Sequence, residues 1–425
     1  MRTYSYKKQK SKQKSSKSHS KSHKKSHRKV IKYNNTYFLD SCFVVNAKKK
    51  WIFTDRLVYH LNRIGLKEDY MMNKIIDLDT KYLKKHNILF DNDKCLADYK
   101  IPQNFNTNLL KPLIVFIRTS AIDPRIRNIN TKLCNLLYYP HFNSIYLKNE
   151  LYFNMKEKFP EITKKHMANT FMINDIKKYE FPKHYILRPV YENMNNKFFR
   201  NIFFINFISN KKELDDAIEF YDKYNHGYNV IASEYIMNPL LFRGKKCHIR
   251  MFNIVSVIND KICSFLFNKG EIFTAEESYD SETIPFSREV HISTFGGTRR
   301  DFLFPDEFND DNLNVKGLDP NDIYRQMKML LACVDKLINP KGKKLLDNHE
   351  NGFNIGHVEF LVDDNGIVYL LEVNKPTGMI FNNRDICEMF IDKAFDWICT
   401  SVVEPCLKGM DPSKHPAYID PNTVV

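Results

Sequence analysis

From Lys211 to Tyr224 the apolar residues Leu214, Ala217, Ile218 and Tyr221 recur at steps of three and four, which predicts a helix. The same period runs through Ile323, Met327, Leu330, Leu331, Val334 and Leu337. Asp319-Pro320 precedes that stripe, an N-cap followed by a proline suited to the first helical position. Further helical stretches are expected over Lys148–Phe159 and Arg384–Val403. Between them lie apolar runs of strand type: Pro112–Ile117, His184–Val190, Ile202–Ile205 and Asn229–Ile236. The runs 248–258 and 261–267 flank Asn259-Asp260, a hairpin signal. Short apolar runs also occur in Tyr33–Val45 and Leu57–Leu66, and the proline-rich ending Pro405–Val425 reads as irregular. Interleaved helices and hairpins give an α+β fold class.

Charge alters this picture only at one end. The chain of 425 residues carries a formal net charge of +15, but residues 1–29 hold twelve Lys/Arg and no acid, leaving +3 for the rest. This tail repeats Lys, Ser and His and has no apolar run, so residues 1–32 are expected to be disordered. It suits an electrostatic arm for an anionic partner, whether nucleic acid, acidic protein or membrane surface, or a nuclear import signal; an unspecific solvated tail is the plainer alternative. Nine scattered cysteines without CxxC spacing read as reduced thiols. With no apolar leader and no run of about 18 apolar residues, the expectation is an intracellular, cytoplasmic protein without a membrane span, nuclear if the tail directs it there.

The segment Gly356–Asn374 carries the densest chemistry. Two β-prone runs flank Asp363-Asp364-Asn365-Gly366, which predicts a hairpin. A four-residue loop would pair Val362 with Ile367 and set Glu359 opposite Leu370. Glu372 and Asn374 then share that face, and the two carboxylates become diagonal neighbours. Facing carboxylates repel unless a proton or a cation neutralises them. Two carboxylates and an amide oxygen suit a hard cation such as Mg²⁺. The alternative is that one Glu points to solvent or pairs with a Lys.

The spacing of Glu359, Glu372 and Asn374, with the stretch Leu371-Glu372-Val373-Asn374, resembles the metal hairpin of the ATP-grasp superfamily, and of the tubulin tyrosine ligase-like family in particular. Two upstream stretches resemble the same family: Ser233–Leu241 with its Pro239-Leu240-Leu241 turn, and Gly244–Arg250. The resemblance implies an ATP-grasp fold with nucleotide between two α+β lobes. It implies Mg²⁺ on Glu359, Glu372 and Asn374, and adenine beside Glu234, Tyr235 and Ile236. Lys246 and Arg250, four apart on an extended strand, would point the same way and stabilise transferring charge. Arg188, in Tyr185-Ile186-Leu187-Arg188-Pro189, stands where the family has a phosphate-binding Lys. Lys148, in Leu147-Lys148-Asn149-Glu150, would reach the nucleotide. Thr170–Ile173 fits a packing segment. The implied organisation is a tail 1–32, an N-terminal domain 33–140, a central lobe 141–240, a C-terminal lobe 241–410 and an irregular tail 411–425.

The resemblance has three departures. The phosphate-covering loop 190–200 has no glycine, so Lys197 or Arg200 would substitute as side-chain contacts. His248 replaces a family Asp, and Phe273 a family Arg, both acceptor-binding positions, which points away from tubulin itself as substrate. Ser293 matches a segment that could touch substrate. The implied activity is an ATP-dependent carboxylate–amine ligase that joins an amino acid to a protein or peptide acceptor through an acyl phosphate. A nucleotide-binding pseudoenzyme and a nucleic-acid-binding protein working through the tail are the competing readings.

Overall fold

In the computed structural model the described residues are 34–39, 59–68, 112–116, 132–135, 143–190, 205–224, 229–259, 261–280, 287–293, 302–338, 351–374 and 384–423. The basic tail and Lys197 lie outside them.

The strands run β1 Asn34–Leu39, β2 Lys67–Glu68, β3 Pro112–Phe116, β4 Leu133–Asn135, β5 Thr170–Met172, β6 Tyr185–Val190, β7 Asn206–Ile208 and β8 Asn229–Glu234. They continue as β9 Leu241–Phe242, β10 Lys245–Ile258, β11 Lys261–Thr274, β12 Phe302–Phe304, β13 Asn351–Val362, β14 Val368–Asn374 and β15 Tyr418–Ile419. The longer helices are α1 Lys148–Lys158, α2 Pro160–His166, α3 Lys211–Tyr224, α4 Pro320–Leu337 and α5 Arg384–Ile398. The chain is therefore α+β, as its pattern implies, with helices α3 and α4 at their predicted bounds or close to them.

Two sheets organise the described residues. The smaller has four strands in the order β5-β8-β6-β7, all antiparallel. Its alternate residues Tyr185, Leu187, Val230 and Ala232 pack with Leu214, Ala217 and Tyr221 of α3. The larger has eleven strands, with the spine β12-β11-β10-β13 antiparallel and β4, β3, β1 and β2 added in parallel. Its two faces are covered by different helices. Cys247, Ile249, Met251, Val358 and Phe360 pack with Ile323, Met327, Leu330, Leu331 and Val334 of α4. Phe252, Ile254, Phe265, Phe267 and Phe353 pack with Phe390, Ile391, Ala394, Trp397 and Ile398 of α5. Period-2 alternation along β10 and β13 thus feeds two cores at once.

Local rules fix the ends. Asp319 Oδ1 accepts from the Asn321 amide at 2.9 Å, so α4 has its expected cap. Ile258 pairs with Lys261 across a two-residue turn, and Asn259 takes φ +52° as such turns require. The ending expected to be irregular is more ordered than that: Glu404–Lys408 is helical, and β15 pairs Ile419 with Ser264 and Tyr418 with Phe265.

The β13–β14 hairpin corrects the expected register. Asp363 N donates to Ile367 O at 3.0 Å, so Asp363, not Val362, faces Ile367. The Asp363 carboxylate explains this: Oδ1 accepts from the amides of Asn365 and Ile367 and winds the turn tight. Gly366 completes it at φ +75°. Pairing then runs Val362–Val368, Leu361–Tyr369 and Phe360–Leu370, until a bulge at Leu371 shifts it and pairs Glu359 with Glu372. The carboxylates share a face, as expected, but as direct partners rather than diagonal ones.

Candidate active site

A cavity of about 450 Å³ opens between the two sheets. It falls in the ordinary range for small-molecule sites, about 300–1,000 Å³. Nine of the residues singled out in the sequence line it: Lys148, Arg188, Glu234, Tyr235, Ile236, Lys246, Arg250, Glu359 and Glu372. Asn374 does not line it but donates from Nδ2 to Glu372 Oε1 at its edge.

The smaller sheet supplies one wall. Tyr185 and Leu187 of β6 turn into the α3 core, so Ile186 and Arg188 turn to the cavity. Arg188 donates to Ser233 Oγ at 3.2 Å, while its Nε is buried with no hydrogen-bond partner among the described residues. The apolar side chains Ile186, Pro189, Ile205, Ile236, Leu361 and Leu371 give the cavity a non-polar side. The Glu234 and Tyr235 amides donate to Asn169 O and His184 O, both at 2.8 Å, and the Glu234 carboxylate meets Lys183 Nζ at 3.1 Å. Ile236 is the residue of this trio whose amide makes no hydrogen bond among the described residues.

The larger sheet supplies the charges. Lys246, His248 and Arg250 stand at alternate positions of β10 and all face the cavity. Lys246 Nζ donates to Tyr235 OH at 2.6 Å and lies 4.0 Å from that ring's centre. Tyr235 OH is 2.9 Å from His291 Nδ1. Arg250 donates twice to Glu359 Oε1, at 3.1 and 2.6 Å, over the face of Phe273. Lys148, at the start of α1, contacts Glu372 Oε2. The neutralising cations of the carboxylate pair are therefore Arg250 and Lys148, the lysine pairing weighed as an alternative in the sequence.

Burial and crowding tune these groups. Desolvation, then Arg188, lowers Lys246 and Lys148 each to about 7, with Glu359 acting the other way on Lys148. Desolvation also lowers Arg188, to about 10. For Glu359 burial pushes upward, but His248, His357 and Arg250 outweigh it and hold the carboxyl well below its usual range. Desolvation lowers His248 to about 4, so at neutral pH the guanidinium is the charge that matters to Glu359.

Sequence reasoning treated His248 as a departure and passed over Ser233 and His291. His248 was findable, since it falls between Lys246 and Arg250 on the same strand face. Ser233 and His291 stand inside stretches that resemble the family but carried no assigned role, because their contacts are made across the fold. Ser293, noted from its segment, lines the cavity with Oγ 2.6 Å from His248 Nδ1. Among the described residues no cluster of three His, Cys, Asp or Glu suits a metal, and no helix is long and apolar enough to cross a membrane.

Comparison with known families finds one informative match. Residues 128–296 match the Tubulin-tyrosine ligase family, which bears out the resemblance over that stretch. Comparison with curated proteins finds no match. The matched segment includes Lys148, Arg188, Glu234 to Ile236, Lys246 and Arg250; the acidic hairpin lies beyond it.

The family implies ATP, and the residues present fit a nucleotide triphosphate. An apolar slot adjoins four cationic side chains, Lys148, Arg188, Lys246 and Arg250, and the orphaned Arg188 Nε awaits an acceptor. They also fit a hard cation. Glu359 and Glu372 are cross-strand partners, and Asn374 adds an amide group, an oxygen-donor set that suits Mg²⁺.

Proposed function

On the premise that residues 128–296 carry the tubulin-tyrosine ligase family's pattern, we propose that the protein is an ATP-dependent carboxylate–amine ligase. The observation that carries the reading is the joining of four cationic side chains and a carboxylate pair in one cavity between the two sheets.

In this reading Ile236 and its apolar neighbours hold the adenine, with Glu234 and Tyr235 shaping the slot. Lys148, Arg188 and Lys246 bind the phosphates, and Lys197, which lies outside the described residues, is a further phosphate contact. Glu359, Glu372 and Asn374 would hold Mg²⁺, which when bound screens phosphate charge. Lys246 and Arg250 orient the substrate carboxylate and stabilise charge on the transferring group. The carboxylate oxygen forms a bond to the γ-phosphorus as the bond to ADP breaks, giving an acyl phosphate and ADP. An amine then displaces phosphate to form the amide. The substrates are an amino acid and a protein or peptide acceptor.

A second reading has an observation of its own. Lys148 sits on Glu372 and Arg250 on Glu359, an arrangement complete in itself, which favours a nucleotide-binding protein without transfer. Incubating the full chain with ATP, Mg²⁺, single amino acids and acidic peptides, read by mass spectrometry, separates the two. A mass increment on peptide with matching ADP release supports the ligase. ATP binding with no ADP release under any pairing supports the second reading.

A further inference from the structure

The inference rests on the ligase reading and concerns the second half of that reaction, where an oxygen on the acyl carbon takes up charge. Of the three side chains that β10 turns to the cavity, Lys246 is committed to Tyr235 and Arg250 to Glu359. His248 is committed at Nδ1 alone, to Ser293. It is 3% exposed, and its Nε2 has no hydrogen-bond partner among the described residues. The nearest carboxylate oxygen, Glu359 Oε2, stands at 3.8 Å.

The ring is nonetheless held firmly. Phe273 of β11 stacks on it, with centres 4.8 Å apart and planes 17° from parallel. Ser293 fixes the other nitrogen. The charged and titratable groups around it are Lys246 and Arg250 on its own strand and His357 and Glu359 on β13. With the ring hydrogen on Nε2, the Ser293 hydroxyl donates to Nδ1. The result is an uncharged N–H donor, locked in orientation, on the wall of a cavity. A buried donor left without an acceptor is costly, and such a group points to a ligand that completes it.

We propose that His248 is a catalytic residue whose Nε2–H donates to the acyl oxygen of the acyl phosphate and holds the oxyanion formed when the amine adds. The nitrogen lone pair forms the new C–N bond, and the carbonyl π pair moves onto the oxygen facing His248. The pair then returns, the bond from carbon to the phosphate oxygen breaks, and phosphate leaves with its electrons. The surplus proton on nitrogen passes to the leaving phosphate. His248 keeps its own proton throughout, as an oxyanion-hole donor does.

Acetyl phosphate serves as the acyl-phosphate probe, added with ADP and Mg²⁺ to the full chain. The native protein should bind it. His248→Ala should weaken that binding by about two- to tenfold, the loss of one hydrogen bond to a neutral carbonyl. His248→Gln, which keeps an N–H near the Nε2 position, should retain most of it, and ADP affinity should be the same in all three. Histidine labelled with ¹⁵N gives a second readout. The resonance missing from His248→Gln should show a protonated Nε2 and a bare Nδ1, and it should move when acetyl phosphate is added. Equal acetyl phosphate affinity in His248→Ala, a proton on Nδ1, or a native protein that binds ADP but not acetyl phosphate would each overturn the proposal. Failure to bind ADP at all is a different result: it removes the ligase reading and the proposal with it.

Discussion

The two sheets that enclose the cavity are built on different terms. The larger is covered on both faces, by α4 on one side and α5 on the other. The smaller has α3 on one face and turns the other, with Ile186, Arg188 and Ser233, to the cavity. Residues that must hold fixed angles, the β10 row and the paired carboxylates, sit on the doubly covered sheet. Of the residues proposed to bind phosphate, Arg188 sits on the singly covered one, while Lys246 belongs to the β10 row and Lys148 to α1. A packed core on both sides locks rotamers, whereas a strand with one open face keeps its freedom until a ligand arrives.

The strongest way to break this comparison is to hollow out each sheet. Phe360→Ala in the larger should cost about 3–5 kcal/mol, since the ring is fully buried between β13 and α4. Leu187→Ala in the smaller should cost about 2–5 kcal/mol and should weaken ATP binding more than Phe360→Ala does. Denaturant melts of the two variants, with and without Mg²⁺–ATP, check both. The contrast fails if Phe360→Ala impairs ATP binding as much as Leu187→Ala.

Glu372→Gln sharpens the comparison within the larger sheet. Its carboxylate is partly exposed and meets a partly exposed Lys148, so stability should change by no more than about 1 kcal/mol. Turnover should fall by roughly a hundredfold or more, the scale for losing a fixed transition-state charge. The ATP-induced rise in melting temperature should shrink with it. An unchanged thermal shift and full activity would remove Glu372 from the site.

Acid should loosen the seam between the sheets first. His248 and His291 are held near 4 in the fold, below the ordinary histidine value. The unfolded chain therefore binds more protons between about pH 6.5 and 4, and stability declines as pH falls through that window. Glu359, depressed below its usual range, extends the loss at lower pH: its contribution is complete above the unfolded carboxylate pKa and disappears as pH falls towards the folded one. Melting temperatures from pH 7.5 to 4 should show the decline, and His248→Gln should flatten part of it. The smallest effect lies farthest from the cavity: Asp319→Ala should cost about 1 kcal/mol through loss of the α4 cap, with ATP binding unchanged by calorimetry.

What the sequence disclosed follows the same division. Helices α3 and α4 were legible because their apolar stripes have one period and one destination. Most of the β10 row and both carboxylates were legible because alternation along a strand assigns faces without knowing what lies opposite. The pairing of Glu359 with Glu372 was not, because it depends on where the hairpin spends an extra residue. Nor were the partners of Lys148 and Lys246, since Glu372 meets Lys148 through the packing of α1 on β14, and Tyr235 meets Lys246 through the packing of one sheet against the other. The parallel addition of β1 to β4 to the large sheet was equally hidden, for short apolar runs do not announce which edge they join.

The bulge at Leu371 has a bearing on how this hairpin can change over generations. Two chain counts bring the carboxylates to one face: a tight turn with one residue bulged out, as here, or a turn one residue longer with none. From Val368 to Glu372 the strand takes four steps where its partner takes three from Val362 to Glu359. A single loss at Leu371 would make the ladder regular and leave Glu372 opposite Glu359, whereas a single gain there would need a second bulge. Length differences among descendants of this hairpin should therefore be losses at Leu371 rather than gains.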